Sequence, residues 1–348
     1  MYSLLRPLFF RLKPETAHQL TLQALRMGGM EPVYSILRAI YSAPSKPVRA
    51  FGLTFKNPVG LAAGYDKNAV AIKGLTALGF GHVEVGTVTP RPQPGNPKPR
   101  VFRLVEDEAV INRLGFPSRG ADFVVDRTRR SNVQTFKRSS AMLGLNLGKN
   151  KDTPLEEAAN DYIELMRRFM FSADYLTINI SSPNTVGLRR LQGREMLEQL
   201  LGAIQKERET ALTPSPSPQE RGEHIPILVK IAPDLNAEEL DDAVGVILDK
   251  GMDGIIATNT TLAREGLRSK VQGESGGLSG SPLAARSEAV LRQVVKRVNG
   301  KVPIISVGGI MHPDDAKKRL ALGASLVQVY TGLIYRGPAL VQQIVKSL

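Results

Sequence analysis

Asn179-Ile180-Ser181-Ser182-Pro183-Asn184, set directly after the apolar run Tyr175-Leu176-Thr177-Ile178, is the stretch on which the fold reading turns. The run has the length and apolar character of a short buried strand, so the polar cluster is its carboxyl tip. Amides and hydroxyls crowded at a strand end, closed by a proline that cannot donate to a ladder, are costly to bury without partners. The tip reads either as a binding site or as an Asn/Ser turn leading into the next helix. Repetition along the chain separates the two readings.

From Phe51 onward, short apolar runs recur at residues 58–62, 82–86, 142–146, 175–179, 227–231, 254–258, 304–308 and 326–330, each followed by a polar or glycine-containing tip and a helical stretch. Strands alternating with helices imply parallel pairing through right-handed crossovers, and eight such units over about 290 residues predict an α/β fold of the (β/α)8, or TIM, barrel type. A doubly wound open sheet is the alternative, but no strand-linked G-x-G-x-x-G fingerprint is present.

A barrel of this kind binds its ligand at the carboxyl ends of the strands. Those ends carry Ala63-Gly64-Tyr65-Asp66-Lys67, Thr87, Asn146, residues 179–184, Lys230, Thr258-Asn259-Thr260, Gly308-Gly309 and Tyr330-Thr331-Gly332. Asn146, Asn179 and Asn259 with Lys67 and Lys230, converging on one mouth, describe a polar pocket for a flat ligand with an anion site. The glycines after strands seven and eight suit a phosphate held on backbone N–H groups. Taken singly, either lysine would read as an ordinary salt-bridged surface residue.

Composition narrows the function classes. The 348 residues are 42% hydrophobic and 23% charged, normal for a globular enzyme. Absence of cysteine excludes disulfides, thiolate metal sites, iron–sulfur clusters and a cysteine nucleophile, and the four histidines lack metal-ligand spacing, so no metal is expected. With no run of 18 apolar residues and no signal-peptide layout, a cytoplasmic chain is expected by default. The net charge of +13 suggests an anionic partner: nucleic acid, lipid headgroups or phosphorylated ligands.

That charge is densest in residues 1–50, where seven Lys/Arg face two Glu. Residues 1–46 predict two or three short helices in which Leu4, Leu5, Leu8, Phe9 and Leu12, and later Val33, Ile36, Leu37 and Ile40, recur at helical spacing among arginines. Both an amphipathic segment lying on a bilayer and a helical lid packed on the main domain fit this pattern. Pro44-Ser45-Lys46-Pro47 marks the linker to a domain spanning 47–348. Two insertions break the regular spacing. Residues 89–100, proline-rich and followed by Asn112-Arg113-Leu114-Gly115-Phe116, are too long for a simple connection and are expected to cover the mouth. Residues 213–223, rich in Pro and Ser, are expected to be a mobile surface insertion.

With these residues quoted, the chain resembles the dihydroorotate dehydrogenases of the membrane-associated, quinone-reducing class. The resemblance rests on residues 61–67, 86–96, 112–116, 179–184 and 257–261 and on Gly276-Gly277-Leu278-Ser279-Gly280, and it covers everything except 213–223. It implies FMN at the barrel mouth, oxidation of dihydroorotate to orotate in pyrimidine (UMP) biosynthesis, and electron transfer to a membrane quinone. Ala63, Gly64, Tyr65, Asp66, Lys67, Thr87, Asn146, Asn179, Lys230, Thr258, Gly280, Gly309, Tyr330 and Thr331 fall at its flavin positions. Lys67, Asn112, Arg113, Leu114, Gly115, Phe116, Asn179, Asn184, Asn259 and Thr260 fall at its substrate positions.

In the soluble classes of that family a cysteine takes the substrate proton, and one class adds an iron–sulfur subunit. The quinone class uses serine, and Ser182 stands at that place as the catalytic residue. The implied partners are thus dihydroorotate, a membrane quinone and an anionic membrane surface at the cytoplasmic face of the cell membrane, with no iron–sulfur subunit and no nucleic acid. Tyr65, Pro117-Ser118 and Thr331 depart from the residues common in the family. Another FMN barrel, such as a tRNA dihydrouridine synthase, would suit the basic charge, but that family acts with a cysteine.

Overall fold

The computed structural model of the chain describes residues 2–131, 141–211 and 225–348; the expected insertion at 213–223 lies outside the described residues. A hairpin of β1 (Val48–Ala50) and β2 (Leu53–Phe55) precedes the barrel. The barrel strands are β3 (Val59–Leu61), β4 (His82–Val88), β7 (Met142–Leu147), β8 (Tyr175–Asn179), β9 (Ile227–Ile231), β10 (Gly254–Ala257), β12 (Ile304–Val307) and β13 (Leu326–Val329). Each pairs in parallel with its neighbours, and β13 closes on β3 with Val327 opposite Val59. All eight predicted runs are barrel strands, because strands covered on both faces read as unbroken apolar sequence.

Between strands and helices lies the main core, from Val59 and Leu61 around to Val341 and Ile344. A second cluster sits inside the barrel, where Phe51 and Phe55 of the hairpin meet Tyr175, Leu228, Ile256 and Ile305. Small residues make room for it. A Cβ on Gly60 would lie 2.0 Å from the His82 ring, and one on Gly254 would lie 2.3 Å from the Phe51 ring. The interior is therefore packed at the amino end and open only at the carboxyl end.

The proline-rich insertion leads into structure that sequence periodicity did not predict. β5 (Val101–Leu104) and β6 (Ala109–Asn112) pair antiparallel, and β11 (Gly277–Gly280) joins β6 from far along the chain, Gly277 opposite Asn112. This three-stranded sheet stands over the mouth, where only a covering loop was expected. Arg100 fastens the insertion by donating to Pro94 O at 2.7 Å and Asn96 O at 3.0 Å while pairing with Glu15 at 3.0 Å.

Three helices precede the barrel: α1 (Tyr2–Arg11), α2 (Pro14–Met27) and α3 (Val33–Tyr41). They are tied to the barrel domain by polar contacts, among them Tyr2 Oη to Ile334 O, and Arg103 to the carbonyls of Phe9 and Leu12. On the other side they expose Leu4, Leu8, Ile36 and Ile40, each more than half accessible. No described helix is long and apolar enough to cross a membrane.

Docking of α2 depends on one glycine. A Cβ on Gly74 would lie 1.9 Å from the carbonyl oxygen of Leu25, so the two backbones touch only because no side chain intervenes. Alanine gains at most about 1 kcal/mol of helix propensity there, whereas overpacking of this kind costs about 1–3 kcal/mol. Gly74→Ala is therefore expected to lower the denaturation midpoint. An unchanged or higher midpoint would show that α2 shifts without cost.

Candidate active site

At the carboxyl ends of the strands the barrel opens into a cavity of about 960 Å³. Its floor is a chain of amides anchored on one acid. Glu84, fully buried within β4, accepts from Asn146 Nδ2 at 2.8 Å, Gln328 Nε2 at 2.9 Å and Tyr175 Oη at 3.3 Å. A carboxylate only accepts, so the amide nitrogen of Asn146 faces Glu84 and its oxygen faces the mouth. That oxygen accepts from Asn179 Nδ2 at 2.9 Å and from Thr87 Oγ1 at 2.5 Å. Asn179 Oδ1 then accepts from Ser181 Oγ at 3.2 Å and Asn259 Nδ2 at 3.3 Å. One acid thereby sets the direction of the amides behind the ligand space.

Two cations face the same cavity. Lys230 is 5% exposed, and among the described residues its ammonium makes no hydrogen bond or ion pair. Burial pulls its pKa down, opposed by the charge of Glu84. Among the described residues Lys67 Nζ donates only to Gly64 O, at 2.6 Å, and burial, reinforced by Arg100, lowers its pKa to about 8. Under-satisfied buried cations are costly, so the cavity is built for an anionic occupant.

The glycine tips supply the anion cradle. Gly309 has φ +73°, and a Cβ there would lie 2.3 Å from Ala284 Cα; its N–H has no acceptor among the described residues. Behind it Arg319, 2% exposed, fixes the turn by donating to Ala284 O at 2.7 Å and Gly308 O at 3.2 Å. Thr331 Oγ1 donates to Ser279 Oγ at 2.8 Å on the same side.

Across the cavity stand the serine and its neighbours. Ser182 is 5% exposed, and its Oγ accepts from the backbone N–H of Asn184 at 3.2 Å. Asn184 Nδ2 donates to Asn112 Oδ1 at 3.1 Å, while Asn184 Oδ1 is buried without a partner among the described residues. The insertion holds this wall in place. Gln93 Nε2 donates to Phe116 O at 2.9 Å, and Asn96 Nδ2 to Arg113 O at 3.0 Å and Asn184 O at 3.1 Å. The expected covering role of residues 89–100 thus takes the form of side-chain struts.

Every residue expected at the site lines this cavity except Tyr65, Asp66, Asn146 and Arg113. Asn146 lies one layer beneath, as described. Asp66 is buried and accepts from the N–H groups of Val70 at 3.0 Å and Ala71 at 2.7 Å, which shapes the loop that carries Lys67. Arg113 ion-pairs with Glu274 at 2.5 Å and stacks on Phe102. Its long side chain follows the outer face of the sheet, so the motif neighbours Asn112 and Leu114 reach the cavity and Arg113 does not. Glu84 and Gln328 were missed, since each lies within a short run whose apolar neighbours read as strand core. Alternation along the strand was the available signal: His82 and Glu84 share one face of β4.

Tyr65 belongs to a second cavity of about 1530 Å³ between the N-terminal helices and the barrel mouth. Phe9, Phe10, Leu25, Leu37, Leu333 and Ile334 make it largely apolar, and it shares Lys67, Asn112, Leu114, Pro117 and Tyr330 with the first cavity. His18 lies in its wall; burial and the charge of Lys67 depress its pKa to about 3, so the imidazole is neutral.

Comparison with known proteins agrees with this architecture. The family model described as dihydroorotate dehydrogenase matches residues 47–348. A dihydroorotate dehydrogenase (quinone) of Nitrosomonas eutropha is 50% identical over 351 residues, covering 100% of this chain and 97% of its own. Its counterpart in Azotobacter vinelandii is 47% identical over 349 residues, covering 100% and 96%. The crystal structure of DHODH from Eimeria tenella in complex with ferulenol superposes with a TM-score of 0.88 at 43% identity, covering 98% of this chain and 93% of that one. Such similarity runs through the N-terminal helices as well as the barrel, and the chain belongs to the dihydroorotate dehydrogenase family.

Proposed function

We propose that this chain oxidises dihydroorotate to orotate in pyrimidine biosynthesis, with FMN held at the barrel mouth and a quinone as electron acceptor, bound peripherally at the cytoplasmic face of the cell membrane. The observation that carries the reading is the joining of a buried serine, a ring of oriented amides and two under-satisfied lysines in one cavity. The residues fit FMN. Gly309, Gly280 and Thr331 would take its phosphate, Thr87 and Asn179 its ring edge, and Lys230 the side where negative charge collects on reduction. When bound, FMN would supply a two-electron acceptor for the substrate's hydride.

The chain's own residues do the rest. Lys67, the amides of Asn112, Asn184 and Asn259 and the hydroxyl of Thr260 bind the anionic substrate, and the unpartnered Asn184 Oδ1 suits a substrate N–H. Ser182 Oγ takes the proton from the carbon beside the substrate carbonyl as its own hydroxyl proton passes to a water molecule or a neighbouring hydroxyl. A hydroxyl is a weak base, and it serves here because burial excludes bulk water while Lys67 and the amides hold the charge developing on the substrate. The apolar second cavity suits a quinone entering beneath the helices, and the outward Leu4, Leu8, Ile36 and Ile40 among basic residues suit a bilayer surface.

The purified chain should be yellow, and dihydroorotate should bleach the flavin band without oxygen. Ser182→Ala should retain FMN and its melting midpoint while that bleaching slows by about 10² to 10⁴-fold, the usual range for a general base. Wild-type bleaching in the variant would remove Ser182 from the chemistry, and a colourless chain that takes up no FMN would remove the function.

The depressed pKa of Lys67 gives binding and stability opposite pH dependences. Substrate affinity should fall as pH rises through about 8, where the free chain loses the cation. The folded value lies below the ordinary 10.5, so the unfolded chain binds more protons between about 8 and 10.5, and the ligand-free fold should gain stability across that window. Titrations of KM and of the denaturation midpoint test both signs, and Lys67→Met should flatten both curves.

Filling the second cavity should separate the half-reactions. Ala17→Phe is expected to slow flavin reoxidation by a long-tailed quinone at least tenfold in stopped-flow traces while leaving reduction by dihydroorotate unchanged. Equal rates of reoxidation would place the quinone elsewhere.

A further inference from the structure

Arg189 lines neither cavity, yet its guanidinium joins three loops that surround the first one. It sits on a short turn, Leu188–Gln192, after the loop that carries Ser182. Its Nε donates to Ser181 O at 3.0 Å, its Nη2 to Thr260 O at 2.8 Å, and its Nη1 pairs with Asp234 Oδ2 at 2.7 Å. Asp234 in turn accepts from Leu262 N at 3.1 Å and from Thr261 Oγ1. The side chains of Arg189 and Asp234 are only 21% and 22% exposed, so this pair is screened less than a surface bridge. Gln192 reinforces the turn, its Oε1 accepting from Ala232 N at 2.8 Å.

We propose that Arg189 is a positioning residue that clamps the loop of Ser182 to the loop of Asn259 and Thr260, so that the base and the substrate amides keep one fixed separation. The inference rests on the functional reading above. Ser182 follows β8 and Thr260 follows β10, two strands that do not pair with each other. The loops also meet through Asn259, a residue of the cavity wall, whose Nδ2 donates to the buried Ser181 Oγ at 3.0 Å. Arg189 makes the second bridge from behind, through backbone carbonyls. A planar guanidinium can reach two carbonyls and a carboxylate at fixed angles; an ammonium cannot. Loss of Arg189 does not strand Asp234, because Arg286 lies 3.8 Å from its other oxygen. What is lost is the relative placement of the loops.

The test uses the full chain with its flavin, comparing the unaltered protein with Arg189→Ala and Arg189→Lys. Hydrogen–deuterium exchange of the ligand-free protein should rise together in segments 180–187 and 258–262 of Arg189→Ala, with the barrel strands unchanged. Flavin reduction by dihydroorotate should slow about 10²-fold, the scale of an ångström-level misplacement. Reoxidation by quinone should not change. Added guanidinium ion should restore part of the reduction rate, and Arg189→Lys should remain slow.

Exchange rising in one segment alone, unaltered reduction, or equal losses in both half-reactions would overturn the proposal. If Arg189→Ala does not fold, the same readouts on Arg189→Lys decide it. An unaltered protein whose flavin dihydroorotate cannot reduce would refute the functional reading instead, and loop exchange would still decide whether Arg189 couples the two segments.

Discussion

A single buried acid, Glu84, constrains the polar interior of this barrel. It sits where strand packing admits no water and accepts from Asn146, Gln328 and Tyr175 at once. Because it can only accept, each amide above it has one allowed orientation, and the pattern passes through Asn146 and Asn179 to Ser181 and Asn259. Within this network the amides of Asn146 and Asn179 are bonded at both ends, whereas Gln328 Oε1 is buried without a partner among the described residues. The ligand wall inherits its donors and acceptors from a residue that does not touch the cavity.

The charges of the site oppose the stability of the ligand-free fold. Lys230 has no partner among the described residues, and Lys67 holds its cation against both burial and Arg100. An apolar residue in either place would pack at lower cost. Their presence marks a pocket whose anionic occupants complete it, and ligand binding is expected to add to stability by mass action. The surrounding fold compensates with bonded supports: Asp66 on its loop, Gln93 and Asn96 behind the wall, and Arg319 behind the glycine turn, where Nη2 is bonded and Nη1 is buried without a partner among the described residues.

Pieces distant in sequence build the approaches to the site. The three-stranded sheet over the mouth joins residues 101–112 to 277–280, and the second cavity exists only because α1 and α2 stand off the barrel mouth while remaining tied through Arg100, Arg103 and Tyr2. The two cavities share Lys67 and Tyr330, so the N-terminal helices form a wall of a space that adjoins the first cavity.

How much of this was legible in the sequence follows from range. A parallel barrel strand is buried on both faces, so its apolar run, its polar tip and its successor helix are local signals; all eight strands and many of the residues that line the cavity, including Ser182, Lys67, Lys230 and Asn259, could be read from them. The strands β5, β6 and β11 could not, since they are short, partly polar or glycine-rich, and β11 joins β6 across about 165 residues, where no periodicity survives. Glu84 looked like part of an apolar strand until closure turned its face inward. Arg113 sat inside a substrate motif, yet the tertiary packing offered it Glu274 and Phe102 first. By itself the sequence determined the barrel, the chemistry available at its mouth and the family. Only the tertiary structure decided which of those groups face the ligand, how the amides are oriented, and where the second cavity lies, because each of these depends on contacts between segments that carry no mark of one another.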